Sequence, residues 1–178
     1  MESMLAPAHI LSYGTLLGTT VFETFVASII SFKKLERPTF AMLQNHMFPV
    51  YFGMQSALPV VIALTYPGLR TVVHNVSPGI AGVLDETVRK NTLVPLATIF
   101  VTGVANLFCL MPKAKAIKAQ RLQLEAVEGK SQYEPPVSPA MDKLNKSFRR
   151  VHGFSTAFNL ISLIATVAYG VTLSRRIQ

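Results

Sequence analysis

Six polar side chains interrupt or border four long apolar stretches of this sequence: Glu23, Gln44, Gln55, Asn106, His152 and Asn159. Inside a bilayer such groups are costly, and they either pair with one another or face a functional interior. Glu23 is the one carboxylate set within a stretch, about two turns from its basic end. A carboxylate there can hold a proton or a cation. It can equally stay protonated, or snorkel to the head groups and pair with Lys33 or Arg37. The amides Gln44, Gln55, Asn106 and Asn159 read first as interhelical glue, because an unpaired amide in lipid must find a partner. Lining a substrate path is the sharper alternative. His152, at the mouth of the last stretch, reads as a capping or interfacial histidine, with Gln44 or an acidic lipid group as partner. His9 and His74 have no recognisable companions and read as surface residues.

Catalytic chemistry finds little support. No zinc spacing, nucleophile elbow, P-loop or dinucleotide fingerprint occurs. Of 9 acidic residues only Asp85 and Glu86 are adjacent, on a loop, so no paired carboxylates suit acid–base work. Met42, His46, Met47, Met54, Cys109 and Met111 are soft donors of the kind that select Cu(I), yet Met is also an ordinary core filler. The single Cys109 excludes an internal disulfide and any multi-cysteine metal site. The sequence therefore assigns no catalytic residue, no cofactor and no metal, and the expectation is a protein that is not an enzyme.

The elements that must position these residues are membrane spans. Half of the 178 residues are hydrophobic and only 15% are charged, against roughly 25% in a soluble domain. The apolar residues fall in four blocks, about 5–32, 48–66, 92–111 and 154–173, within a single domain covering 1–178. The fold class expected is all-α: an integral membrane four-helix bundle, with helical extensions in the cytosolic loop between helices 3 and 4. The first block is too long for a signal-peptide core and reads as a retained helix. Pro38 and Pro67 mark turns, Pro49 suits a first helical turn, and Pro59 should kink the second span. The loop from 67 to 91 is Val-rich and Gly-rich in its middle and suits contact with the membrane surface. Loop 112–152 is polar, with a flexible tip near 129–139 and an N-cap signal at Ser138-Pro139. Gly14 and Gly18 form a GxxxG pair. Ser162, Thr166 and Gly170 form a small-residue stripe. Both read as close-packing faces, set against each other.

The net charge of +8 admits nucleic acid, anionic lipid or membrane orientation as explanations. There is no Trp and no aromatic-basic RNA-binding motif, so no nucleic-acid partner is expected. Loops one and three together carry 12 Lys and Arg, against 5 on the other side. The positive-inside rule then places those loops in the cytosol and both termini outside. An endomembrane or secretory location is favoured, with a mitochondrial membrane as the alternative.

Two stretches resemble the transmembrane protein 205-like family. The first is GTTVFETFVASIISFKKLERPTFAMLQNHMFPVYF, from Gly18 to Phe52. Matching positions there include Thr24, Phe25, Thr39, Phe40, Gln44, Phe48, Pro49, Tyr51 and Phe52. The second is NKSFRRVHGFSTAFNL, from Asn145 to Leu160, matching at Phe148, His152, Gly153, Ser155, Asn159 and Leu160. Asn106 and Pro112 form a weaker third anchor. Where the family often has an aromatic, this chain has Glu23. The resemblance implies a four-span protein without an established reaction, in a family linked to platinum-drug tolerance.

Two function classes follow. The first is a non-enzymatic membrane protein that scaffolds, assists trafficking or joins a membrane complex, with protein partners on loop 112–152 and the bilayer as its solvent. The second is a small transporter or channel subunit, a homo-oligomer using Glu23 and the amides. The surroundings of Glu23 separate them: a cavity favours transport, and a dry packed core favours the scaffold.

Overall fold

The computed structural model describes residues 2–70 and 75–175. Helix α1 (Glu2–Phe22) passes through a wide turn, Glu23–Ala27, into α2 (Ser28–Lys34). After an extended Leu35, α3 (Arg37–Leu64) returns, with Pro38 in its first turn, where a missing N–H costs nothing. A two-residue antiparallel pair follows, β1 (Leu69–Arg70) with β2 (Asn75–Val76), and then a short α4 (Ile80–Leu84). Helix α5 (Arg89–Ala105) runs through a second wide turn, Asn106–Leu110, into α6 (Met111–Glu128). The last helix is α7 (Pro139–Ser174). Ser138 caps it as its residue type predicts: its Oγ accepts from the Met141 N–H at 3.1 Å.

Among the described residues four helices are long and apolar enough to cross a membrane: Leu5–Lys34, Arg37–Leu64, Arg89–Glu128 and Pro139–Ser174. The protein is an integral membrane protein. One sequence expectation changes. The second helix begins at Arg37 rather than near 48, so Pro49 lies in its interior together with Pro59. Helix α6 continues from α5 through the second wide turn, so Lys113, Lys115 and Lys118 do not sit at a free helix N-terminus. The 36 residues of α7 span about 54 Å at 1.5 Å per residue, well beyond a hydrocarbon core of roughly 30 Å. Helix α6 and the first half of α7 pack on each other. Buried Arg121 fastens them, donating to the Tyr133 hydroxyl at 3.0 Å and lying 4.8 Å from the Phe148 ring centre.

The spans form a ring: α1 packs on α3, α3 on α5, α5 on α7, and α7 closes on α1. Each presents a helical stripe inward. On α1 it is His9, Tyr13, Leu16, Thr20 and Glu23; on α7 it is Asn159, Ser162, Thr166 and Tyr169. At the end of the bundle that holds the chain termini, Leu16, Ile62, Tyr66, Leu96, Ile99 and Tyr169 make a dry core. Residues 75–91 of the following loop close over that core. Val76 and Val83 are buried in it, and the Gly79 N–H donates to the Tyr66 carbonyl at 2.8 Å. Gly82 is required there, since a Cβ would collide with the Ser77 carbonyl and the Tyr66 ring. Outward faces are apolar: Leu11 is 70% exposed and Phe108 68%, the pattern of side chains that meet lipid.

Two further expectations are corrected. Nothing lies within 4 Å of a Cβ built on Gly14 or Gly18, which are exposed, so the GxxxG pair does not pack against Ser162, Thr166 and Gly170. The inward stripe of α1 passes beside it. The close approaches are elsewhere. A Cβ on Gly103 would meet the α3 backbone at Gln55 at 3.0 Å, and one on Gly170 would meet the Tyr13 hydroxyl. His9, read as a surface residue, is fully buried. Its Nδ1 lies 3.0 Å from the Ile62 carbonyl, which only accepts, so Nδ1 carries the proton. Nε2 then accepts from the Tyr169 hydroxyl at 2.9 Å. His74 lies outside the described residues.

Candidate functional site

At the basic end of the bundle, where α2 turns into α3 and α6 leaves α5, lies a cavity of about 280 Å³. Glu23, Thr24 and Ser28 enter it from the first span, and Gln44, Tyr51 and Phe52 from α3. Lys115 and Lys118 come from α6, and Phe148, His152 and Asn159 from α7. Four of the six polar residues singled out in the sequence thus face one space. The other two lie one helical turn deeper. Gln55 donates from Nε2 to Asn159 Oδ1 at 3.2 Å, and Asn106 Nδ2 lies 3.5 Å from the Ser155 carbonyl.

Both wide turns border this cavity. In each, the backbone bond reaches back five residues: Ser28 N–H to the Glu23 carbonyl, and Met111 N–H to the Asn106 carbonyl. These are π turns, which place an extra residue in the coil and swing the following side chains round the axis. The first lets one helix aim both Glu23 and Ser28 at the cavity. Ser28 Oγ donates to Glu23 Oε1 at 2.7 Å. Glu23 is only 6% exposed and makes no ion pair with Lys33 or Arg37; Arg37 lies instead 4.3 Å from the Phe32 ring centre.

The floor is an amide network. Asn159 Nδ2 donates to Thr24 Oγ1 at 2.9 Å, while its Oδ1 accepts from the Tyr51 hydroxyl and from Gln55. One residue of α7 thereby ties the first wide turn to α3 across the bundle. Several buried polar atoms nearby have no partner among the described residues: Gln55 Oε1, Asn106 Oδ1, Thr20 Oγ1, Ser162 Oγ and the Oε1 of cavity-lining Gln44. His152 is exposed on the cavity rim, stacked on Phe148 with ring centres 5.9 Å apart. It lies inside α7 and caps no helix, which overturns the capping half of the sequence reading and leaves the interfacial half.

Sequence reasoning did not put forward Thr24, Ser28, Tyr51, Lys115 and Lys118 as site residues, although Thr24 and Tyr51 stood among the family-matching positions. Tyr51 had a signal, since it stands seven residues after Gln44 and four before Gln55, on the same helical face. Ser28 had none, because its direction depends on the π turn.

Residues 11–123 match a family described as a domain of unknown function (DUF4149). The chain belongs to the DUF4149 family. It is also 35% identical over 172 residues to "Xanthocillin biosynthesis cluster protein D" of Aspergillus fumigatus, covering 97% of this chain and 90% of that protein. Neither finding links it to the transmembrane protein 205-like family. No solved structure matches. The DUF4149 match holds the α1, α3 and α6 walls of the cavity but stops before α7, which supplies Phe148, His152 and Asn159.

Proposed function

We propose that this DUF4149 protein is a non-enzymatic membrane protein that takes a small polar ligand into the cavity at its basic end, as a transporter subunit or carrier does. The observation that carries this reading is the placement of Glu23. A scaffold needs a dry core around a buried carboxylate, and here the carboxylate lines a cavity. The unpaired polar atoms nearby extend the same polar seam. Four spans make a thin wall for a monomeric pore, so transport through the bundle calls for a homo-oligomer. The name of the Aspergillus relative places that protein in a biosynthesis cluster, a setting that suits handling of a small molecule.

The basic end faces the cytosol in this reading, on the excess of Lys and Arg there. Distant kinship with the transmembrane protein 205-like family belongs to the same proposal. Its support is that the two matching stretches converge on the cavity through Thr24, Gln44, Tyr51, Phe148, His152 and Asn159. The α6–α7 hairpin remains free to bind protein partners.

Thiol labelling tests the cavity. In a Cys109→Ser background, Ser155→Cys and Thr156→Cys should react with a membrane-impermeant thiol reagent far faster than Val101→Cys on the lipid face. Equal, slow labelling at all three positions would mean a dry interior and would return the scaffold reading.

A further inference from the structure

We propose that the ligand of this cavity is a zwitterion, bound with its ammonium toward Glu23 and Gln44 and its anionic group toward Lys115 and Lys118. The proposal rests on the binding reading above and names the ligand's chemistry.

The inner part of the cavity offers acceptors. Glu23 has a single hydroxyl donor, Ser28, and no cation partner. Gln44 is 3% exposed, and its Oε1 has no partner. Glu23 thus has one donor and Gln44 Oε1 none, and an ammonium supplies three. Aromatic rings stand beside them: Phe48 and Phe52 stack with centres 5.5 Å apart, and Tyr51 adjoins Phe52. Such faces favour a cation as well.

The α6 wall offers the opposite. Among the described residues neither Lys115 nor Lys118 pairs with a carboxylate, whereas Arg89 pairs with Glu86 and Lys146 with Asp142. Lys118 is half-buried, with its Nζ 5.8 Å from the Phe148 ring centre. An anion alone would confront Glu23, and a cation alone would confront the lysines. A molecule carrying both charges at opposite ends meets both walls, the complementarity that gives charged sites their selectivity. The volume of about 280 Å³ suits a head-group-sized molecule.

The chemistry has two sources, a free zwitterionic solute or the head group of a zwitterionic phospholipid. The purified chain in a non-ionic detergent is titrated with phosphoethanolamine, ethanolamine and inorganic phosphate, and binding is read by calorimetry. Phosphoethanolamine should bind at least about tenfold tighter than either half. Glu23→Gln should reduce it to the level of phosphate, and Lys118→Met to the level of ethanolamine, with Lys115→Met as a second rim variant. In lipid nanodiscs, retention of phosphatidylethanolamine over phosphatidylglycerol, lost in Glu23→Gln, identifies the lipid source. Binding of the soluble zwitterion without that lipid preference identifies the solute. If one half binds as tightly as the whole, or Glu23→Gln changes nothing, the zwitterion is refuted while the binding reading stands. If no probe binds but the cavity cysteines label rapidly, the ligand class is again wrong and the cavity is right. If no probe binds and the cysteines stay unlabelled, both fail.

Discussion

At the scale of single residues, polar groups buried in this protein hold specific positions in the ring rather than being scattered along it. His9 shows this at the terminal end, where both ring nitrogens are committed to Ile62 and Tyr169. Tyr169→Phe keeps the ring and removes the hydroxyl, leaving Nε2 without that donor in a dry core. Thermal unfolding in detergent should register a loss of about 1–3 kcal/mol; an unchanged midpoint would mean the pair is an incidental contact. Asn159→Leu removes the residue that ties the first wide turn to α3 and should cost roughly 0.5–2 kcal/mol. If stability is unchanged while labelling of Ser155→Cys alters, Asn159 serves the cavity more than the bundle. Glu23, the amides and Asn159 were legible as residues because charged and amide groups stand out in apolar blocks. His9 was not, although the spacing 9, 13, 16, 20, 23 is a regular inward stripe. Reading histidines by recognisable partners overlooked a partner 160 positions away.

At the scale of helices, the four spans were legible from apolar length, but their ends and facing surfaces were not. Pro38 and the break at Leu35 mark where α3 begins, whereas a hydropathy block starts only where polar residues cease. The π turns were invisible because no side-chain pattern requires a five-residue backbone bond, and each shifts the facing of all that follows. Small residues also mislead on their own: a GxxxG spacing permits close approach but does not say which face is inward. Gly103, bearing no such motif, makes the close approach to α3. Gly103→Leu should therefore collapse the elution profile and thermal midpoint of the purified protein, since the obstruction is backbone at Gln55, which cannot move aside. Gly14→Leu should leave the unfolding free energy within about 0.5 kcal/mol of the parent, as surface substitutions usually do. The reverse ranking would show that the α1 face carries an interface between copies.

For the whole molecule, orientation decides which compartment the cavity serves. The 12-to-5 distribution of Lys and Arg favours a cytosolic basic end. The natural sequon at Asn145 is a poor reporter of this, because Asn145 is half-buried in α7 and its Nδ2 donates to the Gln132 carbonyl at 3.0 Å. A missing glycan there says as much about packing as about side. The hairpin tip is a better site. Gly129 is exposed with φ +67, a conformation Asn tolerates better than most residues, and Ser131 already stands two positions on. Gly129→Asn therefore creates a sequon with little strain, at the far end of an 18-residue helix and about 27 Å from its start. A second sequon in an N-terminal tag reports the opposite face. With a cytosolic basic end in a secretory membrane, the tag should carry a glycan and the tip should not. A glycan on the tip alone would invert the orientation and turn the cavity toward the lumen. Glycan at neither position would remove the protein from the secretory membranes and favour the mitochondrial alternative.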